Sequence, residues 1–183
     1  MTRAPSAQAG FTAVERLLAT PEADGRPVAI DRLIRAQGIE LVRRRFDDGE
    51  DVSGFYLKEG NRQLIGVNAS HALVRQRFTM AHELGHAILH GHEGLHLDQS
   101  FTVRFRDAES ATGTDADEIA ANRFAAELLM PEPEILDAIT AKPFDVSDDD
   151  AVRAVARRFG VSAQAMAIRL NVLGAHVDGT PRF

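Results

Sequence analysis

Apolar residues recur at helical spacing in the first part of the chain, and then the period changes. Residues 11–19 (FTAVERLLA) have helical spacing and stop at Thr20-Pro21. Residues 27–37 (PVAIDRLIRAQ) begin with proline, a good first helical position, and end at Gly38. Three short runs rich in β-branched or aromatic residues follow: IELVRRRF (39–46), VSGFYLK (52–58) and RQLIGVN (62–68). Asp47-Asp48-Gly49 and Glu59-Gly60-Asn61 separate them as turn signals, so the pattern predicts a three-stranded antiparallel meander. Ser70 or Asn68 is placed to cap a long helix over 71–90, ending at Gly91. A polar loop comes next, with a candidate strand at 101–106 (FTVRFR). A further helix runs from about 115 to Met130 and stops at Pro131. A short segment near 132–140 and two helices, 148–159 and 162–173, complete the pattern. The run Asp148-Asp149-Asp150 fits a helix N-terminus, where negative charge is favoured.

Composition narrows the class. The 183 residues suit one domain with small appendages. There is no cysteine, which removes disulfides, thiolate metal ligands and a cysteine nucleophile together. No apolar run approaches a membrane span, and MTRAPSAQAG lacks the apolar core of a signal peptide, so a cytoplasmic location is expected. The net charge of −6 argues against broad, charge-driven nucleic-acid binding. Arg43-Arg44-Arg45 and Arg153/Arg157/Arg158 are the candidate basic patches, and both read more simply as solvated faces.

Five of the seven histidines fall within HELGHAILHGHEGLH (82–96). The stretch matches HExxH twice, at 82–86 and at 92–96. Two histidines four apart on a helix lie about 6 Å apart along the axis and about 40° apart around it, so both rings can reach one metal. The intervening glutamate must stay off the metal, free to take a proton from water. His82 and His86 sit within the long helix, flanked by Phe78, Met80, Ile88 and Leu89. His92 and His96 lie beyond the helix stop at Gly91, where a new helix of barely two turns would be marginal. His86 and His90 are also four apart, but Ala87 follows His86, so that pair has no base. The chemistry is therefore assigned to His82, Glu83 and His86, and HEGLH is expected to be a polar loop without a defined role.

The helix TDADEIAANRFAAELLMP supplies the acidic candidates for a third ligand: Asp115, Asp117, Glu118 and Glu127. A helical projection puts Ala121, Phe124, Ala125, Leu128 and Leu129 on the apolar stripe. Glu118 and Asn122 fall at its edge, whereas Arg123 and Glu127 point away. Asp117 stands three after Thr114 and can close a capping box. Glu118 is thus the carboxylate best aimed at the core, where ligation would offset the cost of burial. Asn122 reads as a hydrogen-bonder to a ligand.

RQRFTMAHELGHAILH (75–90) with EIAANRFAAELLMP (118–131) resembles the ImmA/IrrE family of metallopeptidases, and GFYLKEGNRQLIGVN and FGVSAQAMAIRLNVLG fit the same layout. The resemblance covers roughly residues 25–175 and implies an α+β, zincin-like fold: a small antiparallel or mixed β-sheet packed on helices, with a C-terminal helical pair. It implies zinc held by His82, His86 and Glu118, with Glu83 as the base. It implies a protein substrate, a helix-turn-helix repressor whose cleavage derepresses mobile-element or stress genes. The domain map expected is a disordered leader over 1–10, the metallopeptidase domain over 11–145, the helical pair over 146–175 and a tail over 176–183. Tyr56, His71 and His90 to His96 are open candidates for oxyanion stabilisation. The rival readings are a DNA-binding regulator using ARRFGVSAQAMAIRL (156–170) and a catalytically silent metal-binding partner protein. In the first, the second helix offers few base-reading groups, chiefly Gln164 and Arg169, while Ala165, Met166, Leu170 and Leu173 look like core.

Overall fold

The computed structural model describes residues 7–46, 52–91, 93–98, 113–141 and 144–174. Helix α1 (Ala7–Leu18) is followed by a single 3-10 turn, Pro21–Ala23, and α2 (Ile30–Ala36). Strands β1 (Glu40–Arg44), β2 (Gly54–Glu59) and β3 (Arg62–Asn68) lead into α3 (Leu73–Leu89). Strand β4 (Gly94–Asp98) precedes α4 (Gly113–Leu129), α5 (Glu132–Thr140), α6 (Asp149–Phe159) and α7 (Ala163–Val172). The fold is α+β, with seven α-helices and one four-stranded sheet among the described residues.

Two boundaries depart from the apolar pattern. Helix α1 begins at Ala7, inside the segment expected to be a disordered leader, and Ala7-Gln8-Ala9 are good helix formers even without an apolar stripe. Helix α2 begins at Ile30 rather than Pro27, and the Val28 carbonyl accepts from Arg77 Nη2 at 2.9 Å and from the Ile30 N–H at 3.0 Å, neither of them a helical bond.

The sheet is mixed, in the order β1-β3-β2-β4, so the antiparallel meander is corrected. β2 and β3 form the expected hairpin through Gly60, whose φ of 57° suits the turn. β1 lies instead on the far side of β3 and runs parallel to it. The position a meander would give it beside β2 is taken by β4, antiparallel. The candidate strand at 101–106 lies outside the described residues.

One face of the sheet carries Tyr56, Ile65 and Val67, all buried, against α3. Gly54 lies on that face. A Cβ there would meet Thr79 Cγ2 at 2.4 Å, so only glycine lets β2 and α3 approach this closely. The same buried cluster runs through Ile30, Leu33, Leu84, Phe124, Leu128 and Phe159. It takes in Met166 and Leu170 of the C-terminal pair, which supports packing over base reading. Arg169 is also only 5% exposed. Its Nε donates to the Met130 carbonyl at 3.1 Å and its Nη2 pairs with Glu127 Oε2 at 2.6 Å. Asp148 caps α6 as its sequence suggests, accepting from Asp150 N at 2.8 Å and Ala151 N at 3.3 Å. Arg43 to Arg45 and Arg153, Arg157 and Arg158 are exposed.

Candidate metal centre

Helix α3 carries the first HExxH. Neither Ser70 nor Asn68 caps it: its N-cap is Ala72, without a side-chain bond. Asn68 is occupied elsewhere, with Oδ1 accepting from Ser70 N and Nδ2 donating to Val52 O. Gln76 instead reaches back to the Ala69 and His71 carbonyls. The far end behaves as expected, with Gly91 at φ 56° and its N–H on the His86 carbonyl.

His82, Glu83 and His86 are 2%, 0% and 4% exposed. Three polar side chains are therefore held inside the fold, which is costly unless each is matched. His82 Nδ1–H donates to Asn122 Oδ1 at 3.1 Å, leaving Nε2 to face inward. That nitrogen lies 3.0 Å from His86 Nε2 and 3.3 Å from Glu118 Oε2. Glu118 Oε1 lies 3.3 Å from His86 Nε2. Donor atoms of a tetrahedral zinc, with bonds of about 2.0–2.1 Å, sit roughly 3.3 Å apart. The two histidines and the carboxylate thus have the spacing and the chemistry for such an ion. His82, His86 and Glu118 form the compact donor set among the described residues.

Helix α4 reaches α3 through two small residues. A Cβ on Gly85 would stand 3.2 Å from Ala121 Cα and 3.1 Å from Phe124 Cδ1. The close approach brings Glu118 over the histidines. Of the other acidic candidates, Asp117 Oδ1 faces His90 Nδ1 at 3.3 Å and Glu127 turns to Arg169. The side chains of Thr114 and Asp115 lie outside the described residues, so the capping box does too.

The second HExxH differs from expectation. Residues 94–98 are not a loop but β4, whose alternation exposes Leu95 and Leu97 and turns His96 inward, opposite Tyr56 in the register. His96 Nε2 lies 2.9 Å from Glu118 Oε1, and its ring centroid is 4.0 Å from that of His86. The apolar–His–apolar alternation of Leu95-His96-Leu97 after Gly94 was the signal for this strand. His92 lies outside the described residues. Glu93 precedes the strand and faces Lys58 and the Gly60 N–H.

These contacts set the charges. Burial pushes the His86 imidazole down to about 4, against the pull of Glu118, so it stays neutral near pH 7. Burial would raise the Glu118 carboxyl, but the imidazoles of His82, His86 and His96 facing it hold it well below its ordinary value. The bond to Glu118 raises His96, with burial opposing and Glu83 adding to the rise. Burial, with Glu93 nearby, raises Tyr56, whose hydroxyl donates to Gln63 Oε1 at 2.8 Å. His71 stands before α3 and offers its carbonyl to Gln76.

A peptidase family described as the IrrE N-terminal-like domain matches residues 34–171. The chain is 40% identical over 76 residues to the radiation response metalloprotease IrrE of Deinococcus radiodurans, covering 42% of this chain and 22% of that protein. It is 30% identical over 82 residues to the immunity region protein 2 of Bacillus phage phi105, covering 45% of this chain and 47% of that protein. Among solved structures, a Mycobacterium tuberculosis transcriptional regulator shares the fold, with a TM-score of 0.56 and 18% identity over 91% of this chain and 47% of that one. The matches therefore span less than half the length of each of these relatives.

Proposed function

The chain belongs to the IrrE N-terminal-like peptidase family, and from that premise we propose that it is a zinc-dependent endopeptidase acting on a protein substrate. The observation that carries this reading is the convergence of His82, His86 and Glu118, with Glu83 buried on the same helix turn. His82, His86 and Glu118 would hold the ion, and Asn122 fixes the tautomer of His82. Zinc bound there would supply Lewis acidity to water and to the scissile carbonyl. Glu83 takes the proton of the attacking water and delivers it to the leaving amine. An extended substrate adds to the sheet at β4, whose outer edge has no partner among the described residues.

The substrate proposed is a helix-turn-helix repressor, cleaved to derepress mobile-element or stress-response genes. The family resemblance supports it, as do the radiation-response and phage-immunity names of two relatives. The DNA-reading alternative is disfavoured by Arg169, which is buried in its pair with Glu127. The silent-partner alternative assigns no chemistry to Glu83, a carboxylate buried on the helix turn between the two histidines. The test is incubation of the zinc-loaded chain with a candidate helix-turn-helix repressor, sought first among the neighbours of its gene, read by mass spectrometry of the fragments. Cleavage by the unsubstituted chain and an intact repressor with Glu83→Gln are expected. Equal cleavage by both would remove Glu83 as the base. No cleavage by either would remove this substrate.

A further inference from the structure

The second HExxH stretch is the one motif the proposed reaction leaves unused. Its glutamate has a structural position: Glu93 Oε2 accepts from the Gly60 N–H at 3.2 Å, and Oε1 lies 3.7 Å from Lys58 Nζ. Lys58 Nζ also donates to the Gly91 carbonyl at 3.0 Å. These contacts clamp the connection after α3 onto the β2–β3 turn. Gly94, at φ 103°, then starts β4 with its register set. Period-two alternation does the rest, sending Leu95 and Leu97 outward and His96 in toward Glu118.

We propose that His96 is a positioning residue for the metal centre, its Nε2 paired with Glu118 Oε1. This rests on the metallopeptidase reading. A carboxylate that gives one oxygen to a metal leaves the other in need of a donor, and such outer partners fix orientation and tune affinity. Glu118 Oε2 faces His82 Nε2 and Oε1 faces His86 Nε2, each at 3.3 Å, and Oε1 also meets His96 Nε2 at 2.9 Å, the shortest of the three contacts. The mutually close donor set is His82, His86 and Glu118, with His96 outside it. His96 thus acts through Glu118 and arrives from a different element, so that α3, α4 and β4 each contribute one wall of the site.

The experiment is a zinc competition titration against a chromophoric chelator, on the full chain and on His96→Ala and His96→Gln, with cobalt(II) absorption spectra of the same three proteins. His96→Ala is expected to weaken zinc roughly 10–100-fold. His96→Gln, whose amide N–H can still donate, is expected to recover most of that loss. The cobalt bands are expected to keep the same ligand count throughout. Unchanged zinc affinity in His96→Ala, or a glutamine variant as weak as the alanine one, overturns the positioning role alone. Loss of a nitrogen ligand in the cobalt spectrum of either variant overturns it in favour of direct ligation. An unsubstituted chain that takes up no zinc overturns the metallopeptidase reading and this proposal with it.

Discussion

HELGH and HEGLH carry the same three-letter signature ten residues apart, and the chain folds the first as helix and the end of the second, Gly94-Leu95-His96, as strand. On a helix, positions four apart are about 6 Å apart and share a face. In an extended segment they are roughly 13 Å apart, too far for one ion. The glutamates part company in the same way. Glu83 is sealed beneath the sheet beside Gly54, whereas Glu93 is exposed and ties a turn. A signature is thus a statement about chemistry only after its period has been matched to its element.

The largest effect expected to break this comparison is on metal uptake. His82→Ala and His86→Ala should each lose stoichiometric zinc, and His92→Ala should retain it, measured by metal analysis after dialysis. The reverse result would move the site to the second copy. Next come the glutamates. Glu83→Gln should lower kcat by about 10²–10⁴-fold with zinc still bound, while Glu93→Gln, losing an exposed pair worth under about 1 kcal/mol, should stay within about twofold.

The histidines of the two copies should also titrate in opposite senses. Burial holds His86 near about 4. Between there and its unfolded value near about 6.5, the unfolded chain binds a proton the folded one refuses, so stability of the metal-free protein falls as pH falls. His96 is raised by its bond to Glu118. Its contribution is complete below about 6.5 and is lost as pH rises through the raised value. Denaturant melts across pH should show His86→Gln flattening the acid limb and His96→Gln the alkaline one.

The smallest contrast is between the glycines. Gly85→Ala presses a methyl onto Ala121 and Phe124, and should cost about 1–3 kcal/mol and weaken zinc by moving α4. Gly94→Ala meets open space but a φ of 103°, and should cost about 1 kcal/mol. Equal zinc affinity in both variants would show that the α3–α4 approach does not set the position of Glu118.

What could be read from the sequence was whatever a helical period or a local cap encodes. The 3.6-residue stripe of α3 and α4 oriented His82, His86 and Glu118 before any tertiary contact was known, and it turned Glu127 away. Asp148 announced its own helix. What escaped was set by distant partners. Nothing within Glu40–Arg44 says that this strand will run parallel to β3, because that depends on β4 taking the edge beside β2. β4 itself is five residues long, and its alternation is obscured by neighbouring histidines and glycines. For that reason the sequence left His96 in an expected loop, an open candidate for the oxyanion, and not on a strand facing Glu118.

The bond between Arg169 and the end of α4 has a consequence for how such a chain can change over evolutionary time. α4 presents Glu118 near its beginning and Glu127 near its end, about 13 Å further on. The second of these, with the Met130 carbonyl, is answered by a guanidinium borne on α7. A recombination that swapped the last two helices for another pair would have to bring an arginine to that spot. Otherwise the helix carrying Glu118 would be left holding an unanswered carboxylate and carbonyl. The segment that most resembles a detachable DNA reader is thereby tied to the helix that carries Glu118.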